Sequence, residues 1–173
     1  RGAGANFGVV TSFEFRVHPV GTVLAGPIIH PLARGREVFR LFREHVPSAP
    51  DELTWGVILF TVPESPMFPP PLPRAPVIVP AVCWAGPVAA GEEFPRPIRA
   101  FGPPIADLVE PMPYSVAQVA ADFLFTPGLR SYWKSSFLSA LSDEAIDTMI
   151  DCYARVPSPM AGIMLEHPHG AMT

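Results

Sequence analysis

Apolar and polar residues alternate strictly near the start of the chain. Val9, Thr11, Phe13, Phe15 and Val17 fall on one side of an extended backbone, the period-two signature of a half-buried strand. His18-Pro19-Val20-Gly21 then reads as a turn, and Val23 to His30 as a second strand able to pair with the first in a hairpin. The period changes after Arg34. Val38, Leu41, Phe42 and His45 recur at i, i+3, i+4 and i+7, with Arg36, Glu37, Arg40, Arg43 and Glu44 largely elsewhere, which predicts an amphipathic helix over 34–46 with a solvated charged face. Pro47 ends it. Leu53 to Val62 is apolar on both faces, Trp55, Val57 and Leu59 against Ile58 and Phe60, so this strand is expected to be covered on both sides.

Proline punctuates the middle of the chain. Seven prolines from Pro63 to Pro76 remove too many N–H donors for a helix or a ladder and predict an extended loop. It reads as a long hairpin connection more readily than as a ligand for a proline-recognition module, because Met67, Phe68 and Leu72 are suited to packing back on the body. Val77 to Trp84 is the next strand, placed near a sheet edge because Pro80 cannot donate to a ladder. Val88 to Phe94 has helical composition, cut by Pro95 and Pro97 to a short helix and an irregular stretch.

Ile105 to Pro111 reads as a strand, Tyr114 to Ala121 as a short helix, and Arg130 to Leu138 as a strand with Tyr132, Lys134, Ser136 and Leu138 on one face. Ser142 is placed to cap a helix, with Asp143 and Glu144 in its first turn where the helix dipole favours them. That helix runs to about Arg155 and buries Ile146, Met149, Ile150 and Tyr153, and Met160 to His167 is a last strand. About seven strands in consecutive pairs with three to four helices give an α+β fold, its mostly antiparallel sheet carrying the helices.

Composition narrows the partners. A hydrophobic share of 49% over 173 residues supports one sizeable core. A net charge of -4 with charged residues at 16% offers no basic stripe, so neither nucleic acid nor an anionic membrane surface is expected. No apolar run approaches the roughly 20 residues that span a bilayer, and no secretory signature opens the chain, which places it in the cytoplasm. It begins at Arg1 without Met and so reads as a fragment, a processed product or one piece of a nicked protein. Cys83 and Cys152 lie among apolar neighbours without C-x-x-C spacing and read as buried free thiols, with a disulfide left open.

Few residues point to chemistry by themselves. Gly2, Gly4 and Gly8 suggest a phosphate cradle, but a dinucleotide fingerprint follows a strand and opens a helix, whereas here a strand comes after the glycines. Glu166, His167 and His169 are metal-ligand types. No metal is assigned to them, because Pro168 restricts how the rings converge and a third ligand would have to come from far away. Tyr132 and Lys134 share a strand face, where a buried lysine beside a phenol makes an acid/base or anion-binding pair. The competing assignment leaves Tyr132 in the core and Lys134 snorkelling to solvent.

The opening Arg-Gly-x-Gly-x-Asn-Phe-Gly-Val-Val-Thr, followed by Phe-Glu-Phe-Arg-Val-His-Pro-Val-Gly, resembles the berberine bridge enzyme-like, FAD-linked oxidases of the vanillyl-alcohol oxidase superfamily. The likeness continues through Pro50-Asp51-Glu52-Leu53-Thr54, Pro111-Met112-Pro113-Tyr114, Tyr132-Trp133-Lys134-Ser135, Leu141-Ser142-Asp143-Glu144-Ala145 and His169-Gly170-Ala171. It implies that residues 1–22 end an FAD-binding domain with a short hairpin and that 23–173 form a substrate-binding domain truncated at its C-terminus. It also implies FAD as the cofactor, whether or not the isolated chain holds any. Gly4, Ala5, Asn6, Gly8 and Val10 would lie against it.

His30, Tyr114, Gln118, Tyr132 and Lys134 become candidate substrate-pocket residues by the same resemblance, with Tyr132 and Lys134 the candidates for catalysis. The regions that attach the flavin and supply the family's bases are not in these 173 residues, and hydride chemistry belongs to the cofactor. The expectation is therefore the substrate-domain portion of an oxidoreductase of a hydroxylated or phenolic small molecule, unable to oxidise alone. Its partner would be the missing FAD-binding region or a second copy of the chain. The alternatives are a flavin-free binding or assembly module and a cofactor-free acid/base enzyme that reuses the pocket.

Overall fold

Three long antiparallel strands carry the fold. The computed structural model describes residues 7–64, 74–100, 102–125 and 127–170. In it β1 (Thr22–Pro31), β2 (Leu53–Thr61) and β3 (Pro76–Trp84) are joined by the short β4 (Ala106–Asp107), β5 (Glu110–Pro113) and β6 (Ile163–Glu166). The sheet order is β4-β1-β3-β2-β6, with β5 also on β1, and every pairing is antiparallel. Five α-helices accompany it among the described residues: α1 (Gly35–His45), α2 (Val88–Gly91), α3 (Arg96–Ala100), α4 (Tyr114–Val119) and α5 (Asp143–Ala154).

The helix pattern read from residues 34–46 is realised in α1, whose Val38, Phe39 and Phe42 are buried. They pack with Ile146 and Tyr153 of α5 and Ile98 of α3 onto the sheet face formed by Leu24, Ile28, Leu53, Trp55, Val57, Leu59, Ile78, Val82 and Trp84. Phe42 meets Trp55 edge-on at 5.5 Å between ring centroids, and each large side chain sealed this way contributes about 1.5–3 kcal/mol. Trp84 closes one end of this layer. Its Nε1 donates to the Pro87 carbonyl at 2.9 Å and its ring stacks on Phe94 at 4.6 Å.

Charge ties the two long helices together. Arg40 and Arg43 of α1 both donate to the Asp143 carboxylate at the start of α5, Arg43 also donates to the Leu141 carbonyl, and Arg36 pairs with Asp147. The Ser142 Oγ accepts from the Ala145 N–H at 3.1 Å, the cap expected for α5. The opposite sheet face carries a smaller cluster of Ile29, Val62, Val77 and Val79, against which Ile58, Phe60 and Phe123 are partly buried. Leu53–Val62 is thus sealed on the helix side and half-covered on the other.

Several expectations are corrected. The hairpin of 9–17 with 23–30 does not form: β1 gives one edge to β3 and the other to β4 and β5, so no edge is left for the residues before it. The 9–17 and 130–138 runs join no ladder, which with the division of 105–111 into β4 and β5 leaves six strands in place of seven. Pro95 separates α2 from α3, raising the helix count.

The strand placed at an edge, β3, lies at the centre. Its pairing with β2 runs straight through Val57↔Pro80, while its pairing with β1 stops at Pro27↔Ala81 and resumes at His30↔Ile78. The missing N–H of Pro80 falls in that interruption, which is how a central strand accommodates it. Cys83 is half-buried and burial pushes its thiol up, but Cys152 is exposed, and both thiols are free. Most of the proline-rich loop, with Met67, Phe68 and Leu72, lies outside the described residues. Its mouth is closed by Arg74 N–H to Val62 O at 2.8 Å and Val62 N–H to Ala75 O at 3.0 Å.

Candidate functional site

The start of β1 and the start of α4 build one groove. Thr22 pairs with Pro113 in the β1–β5 ladder, and the Tyr114 N–H donates to the Gly21 carbonyl at 3.0 Å, so the chain before β1 and the first turn of α4 are fixed side by side. Pro113, at φ -57° and ψ 138°, supplies the extended residue from which the helix turns. Tyr114 and Gln118 then stand one turn apart, the i,i+4 spacing that puts two side chains on one helix face. With Val20, Gly21, Thr22 and Ser115 they line a groove of about 600 Å³. None of its lining residues is charged. A smaller groove of about 380 Å³ lies between α1 and α5, spanned by the Arg36–Asp147 pair.

Tyr114 and Gln118 are brought together; the other residues singled out from sequence lie elsewhere. His30 is in the core at 1% exposure, paired in register with Ile78, and does not line either groove. Burial, reinforced by the nearby Arg34 charge and opposed by Asp107 and Glu37, holds its imidazole below the usual 6.5 and keeps it neutral. Tyr132 is 84% exposed and Lys134 is exposed too, so in this chain the buried lysine–phenol pair is not made, and neither residue lines the groove.

Gly8 and Val10 are exposed on the run before β1, and a methyl added at Gly8 would meet nothing within 4 Å. Gly4, Ala5 and Asn6 lie outside the described residues. His167 and His169 stack at 5.8 Å, with the His169 Nδ1 at 3.1 Å from the His167 carbonyl. Among the described residues no three His, Cys, Asp or Glu side chains gather as a metal site, and no helix is long and apolar enough to cross a membrane. Sequence reasoning missed Gly21, Thr22 and Ser115. Only the β1–β5 register, which no local pattern announces, shows that residues some ninety positions apart share a wall.

No family model matches the chain. In an alignment of 173 positions that covers 98% of its length, the chain is 31% identical to an FAD-linked oxidoreductase of Dictyostelium discoideum. The chain spans 35% of the length of this relative, about a third. For the flavin itself, Gly8 and Val10 stand in open surroundings, so the described residues do not by themselves form a flavin cradle.

Proposed function

We propose that the chain is the substrate-domain portion of a berberine bridge enzyme-like, FAD-dependent oxidoreductase that acts on a hydroxylated or phenolic small molecule once joined to an FAD-binding region. Residues 1–22 belong to the end of that region in this reading, and 23–173 to the substrate domain. The whole-length identity to an FAD-linked oxidoreductase three times as long carries it. The exposed apolar runs add support. Phe13, Phe15 and Val17 before β1, and Tyr132, Trp133 and Phe137 after α4, are between 66% and 94% exposed, large apolar side chains that a partner could cover.

The test is spectroscopic. The chain alone is expected to be colourless, and co-expression with an FAD-binding region on a second chain should give a complex with a flavin absorption band and turnover of a phenol or alcohol. A stoichiometric flavin band in the chain alone, or no complex on co-expression, overturns the proposal. The same exposed runs favour one second reading, a flavin-free module that covers them by dimerising. It predicts twice the chain mass in solution, and a monomer at micromolar concentration refutes it.

A further inference from the structure

We infer that residues 12–18 form a self-complementary pairing segment, through which two copies of the chain join in an antiparallel ladder centred on Phe15. The inference rests on the second reading above, in which the chain covers its exposed runs by dimerising, and it names the surface and the register. Every residue from Phe7 to Gly21 is exposed, and none of them belongs to a ladder. Phe13 and Phe15 lie on one side of the run, their rings stacked at 5.6 Å between centroids. They are 72% and 75% exposed, and Val17 is 85% exposed. Glu14 and Arg16 alternate with them in sequence and form no ion pair among the described residues.

The order of these five residues selects one register. A two-fold axis makes a contact isologous, so that residue i meets j and j meets i. With Phe15 opposite Phe15 of the second copy, Glu14 faces Arg16, Arg16 faces Glu14, and Phe13 faces Val17. Directly opposed residues share a sheet face, so both opposite-charge pairs fall on one face and the apolar side chains of both copies on the other. Sliding by two residues sets Glu14 against Glu14 in one direction and Arg16 against Arg16 in the other, and like charges directly opposite destabilise a ladder. Sliding by one residue opposes apolar to polar side chains throughout. A parallel pairing in register again brings like charges side by side. The antiparallel ladder centred on Phe15 is the arrangement in which charge and face agree.

The experiment is sedimentation equilibrium of the full 173-residue chain and of two charge reversals, Glu14→Arg and Arg16→Glu, at about 50 mM salt, where exposed charges are only weakly screened. The parent is expected to dimerise with a dissociation constant in the micromolar range, as a contact at the small end of specific interfaces allows. Each reversal places like charges at both symmetry-related positions and should weaken the dimer about tenfold or more. Mixed in equal amounts, the two variants meet opposite charges at both positions, so a heterodimer should form with about the affinity of the parent. Both positions are exposed and outside every ladder, so far-UV circular dichroism should not change.

A dimer that neither reversal weakens, or variants that stay apart on mixing, overturns the inference and leaves the second reading standing. A parent chain that is monomeric at micromolar concentration overturns both. Flavin incorporation on co-expression is read separately and bears on the first reading alone.

Discussion

Replacing Gly26 by alanine tests the joint on which β4, β5 and α4 hang. Gly26 sits in β1 at φ 149°, between the end of the β5 pairing at Ala25↔Glu110 and the start of the β4 pairing at Ile28↔Asp107, so the Leu108–Val109 connection passes directly over it. A methyl there would overlap the Leu108 carbonyl oxygen and stand 2.7 Å from its carbon and 2.9 Å from Val109 Cα. All three are backbone atoms and cannot rotate away. Holding an L-residue at that φ costs about 1–3 kcal/mol. Displacing the connection also forfeits the Leu108 N–H to Pro27 O bond and strains Ile105 N–H to Ile29 O, at about 1 kcal/mol each.

A loss of about 3–5 kcal/mol is therefore expected, a large share of a stability that is typically about 5–15 kcal/mol. At a slope of roughly 2–3 kcal/mol per molar urea, the unfolding midpoint followed by circular dichroism should drop by more than about 1 M. Gly21→Ala is the control: nothing lies within 4 Å of its added methyl and its φ is not positive, so it should stay within about 0.5 kcal/mol of the parent. A Gly26→Ala midpoint no lower than that of Gly21→Ala would refute the argument, since the connection would then have moved aside without cost.

Three further outcomes follow from the same structure. Ser142→Ala removes the acceptor for the Ala145 N–H and should cost about 1 kcal/mol, lowering the melting temperature by about 2–4 °C. The Asp143 carboxyl is held down to about 2 by hydrogen bonds from Arg40 and then Arg43; its contribution is complete above its ordinary 3.8 and is lost as pH falls from there through 2. Asp143→Asn should remove that acid limb from a stability–pH curve, with a modest effect because the pair is open to solvent and screened by salt. His30 works in a higher window: its folded value lies below 6.5 because of burial, so the unfolded chain takes up the proton first. Stability is level above pH 6.5 and declines below it until the folded value is passed. Urea midpoints at pH 7.5 and 5.5 check this, and His30→Asn should remove the difference.

What could be read from sequence followed how local the cause was. The 3.6-residue stripe of Val38, Leu41 and Phe42 and the Ser142 cap are decided within a turn or two of chain, and both elements stand within a residue or two of their expected bounds. The position of β3 is a long-range matter. Pro80 argues for an edge only if its missing N–H must face a neighbour in full register, and the gap between Ala81 and Ile78 in the β1 pairing removes that condition. The groove behaves in the same way. Tyr114 and Gln118 share a helix face by spacing, but Thr22 joins them through a ladder that spans ninety residues of sequence.

The alternating runs around Phe13 and Phe137 show where pattern stops informing. Alternation states that a strand has an apolar side; it does not say which sheet receives it. Within the described residues β1 has no vacant edge, and Phe13, Phe15, Trp133 and Phe137 remain 66% to 94% exposed. Burying four such rings is worth on the order of 5–10 kcal/mol, comparable with the stability of a whole domain. A partner that offers a sheet edge and an apolar face would therefore change the stability of this chain as much as its activity. If the proposed FAD-binding region is that partner, its addition should raise the unfolding midpoint by a similar margin, and Phe13→Ser with Phe137→Ser should cut the rise by about half while leaving the isolated chain as stable as before. A gain in stability unchanged by both substitutions would mean the partner binds somewhere else.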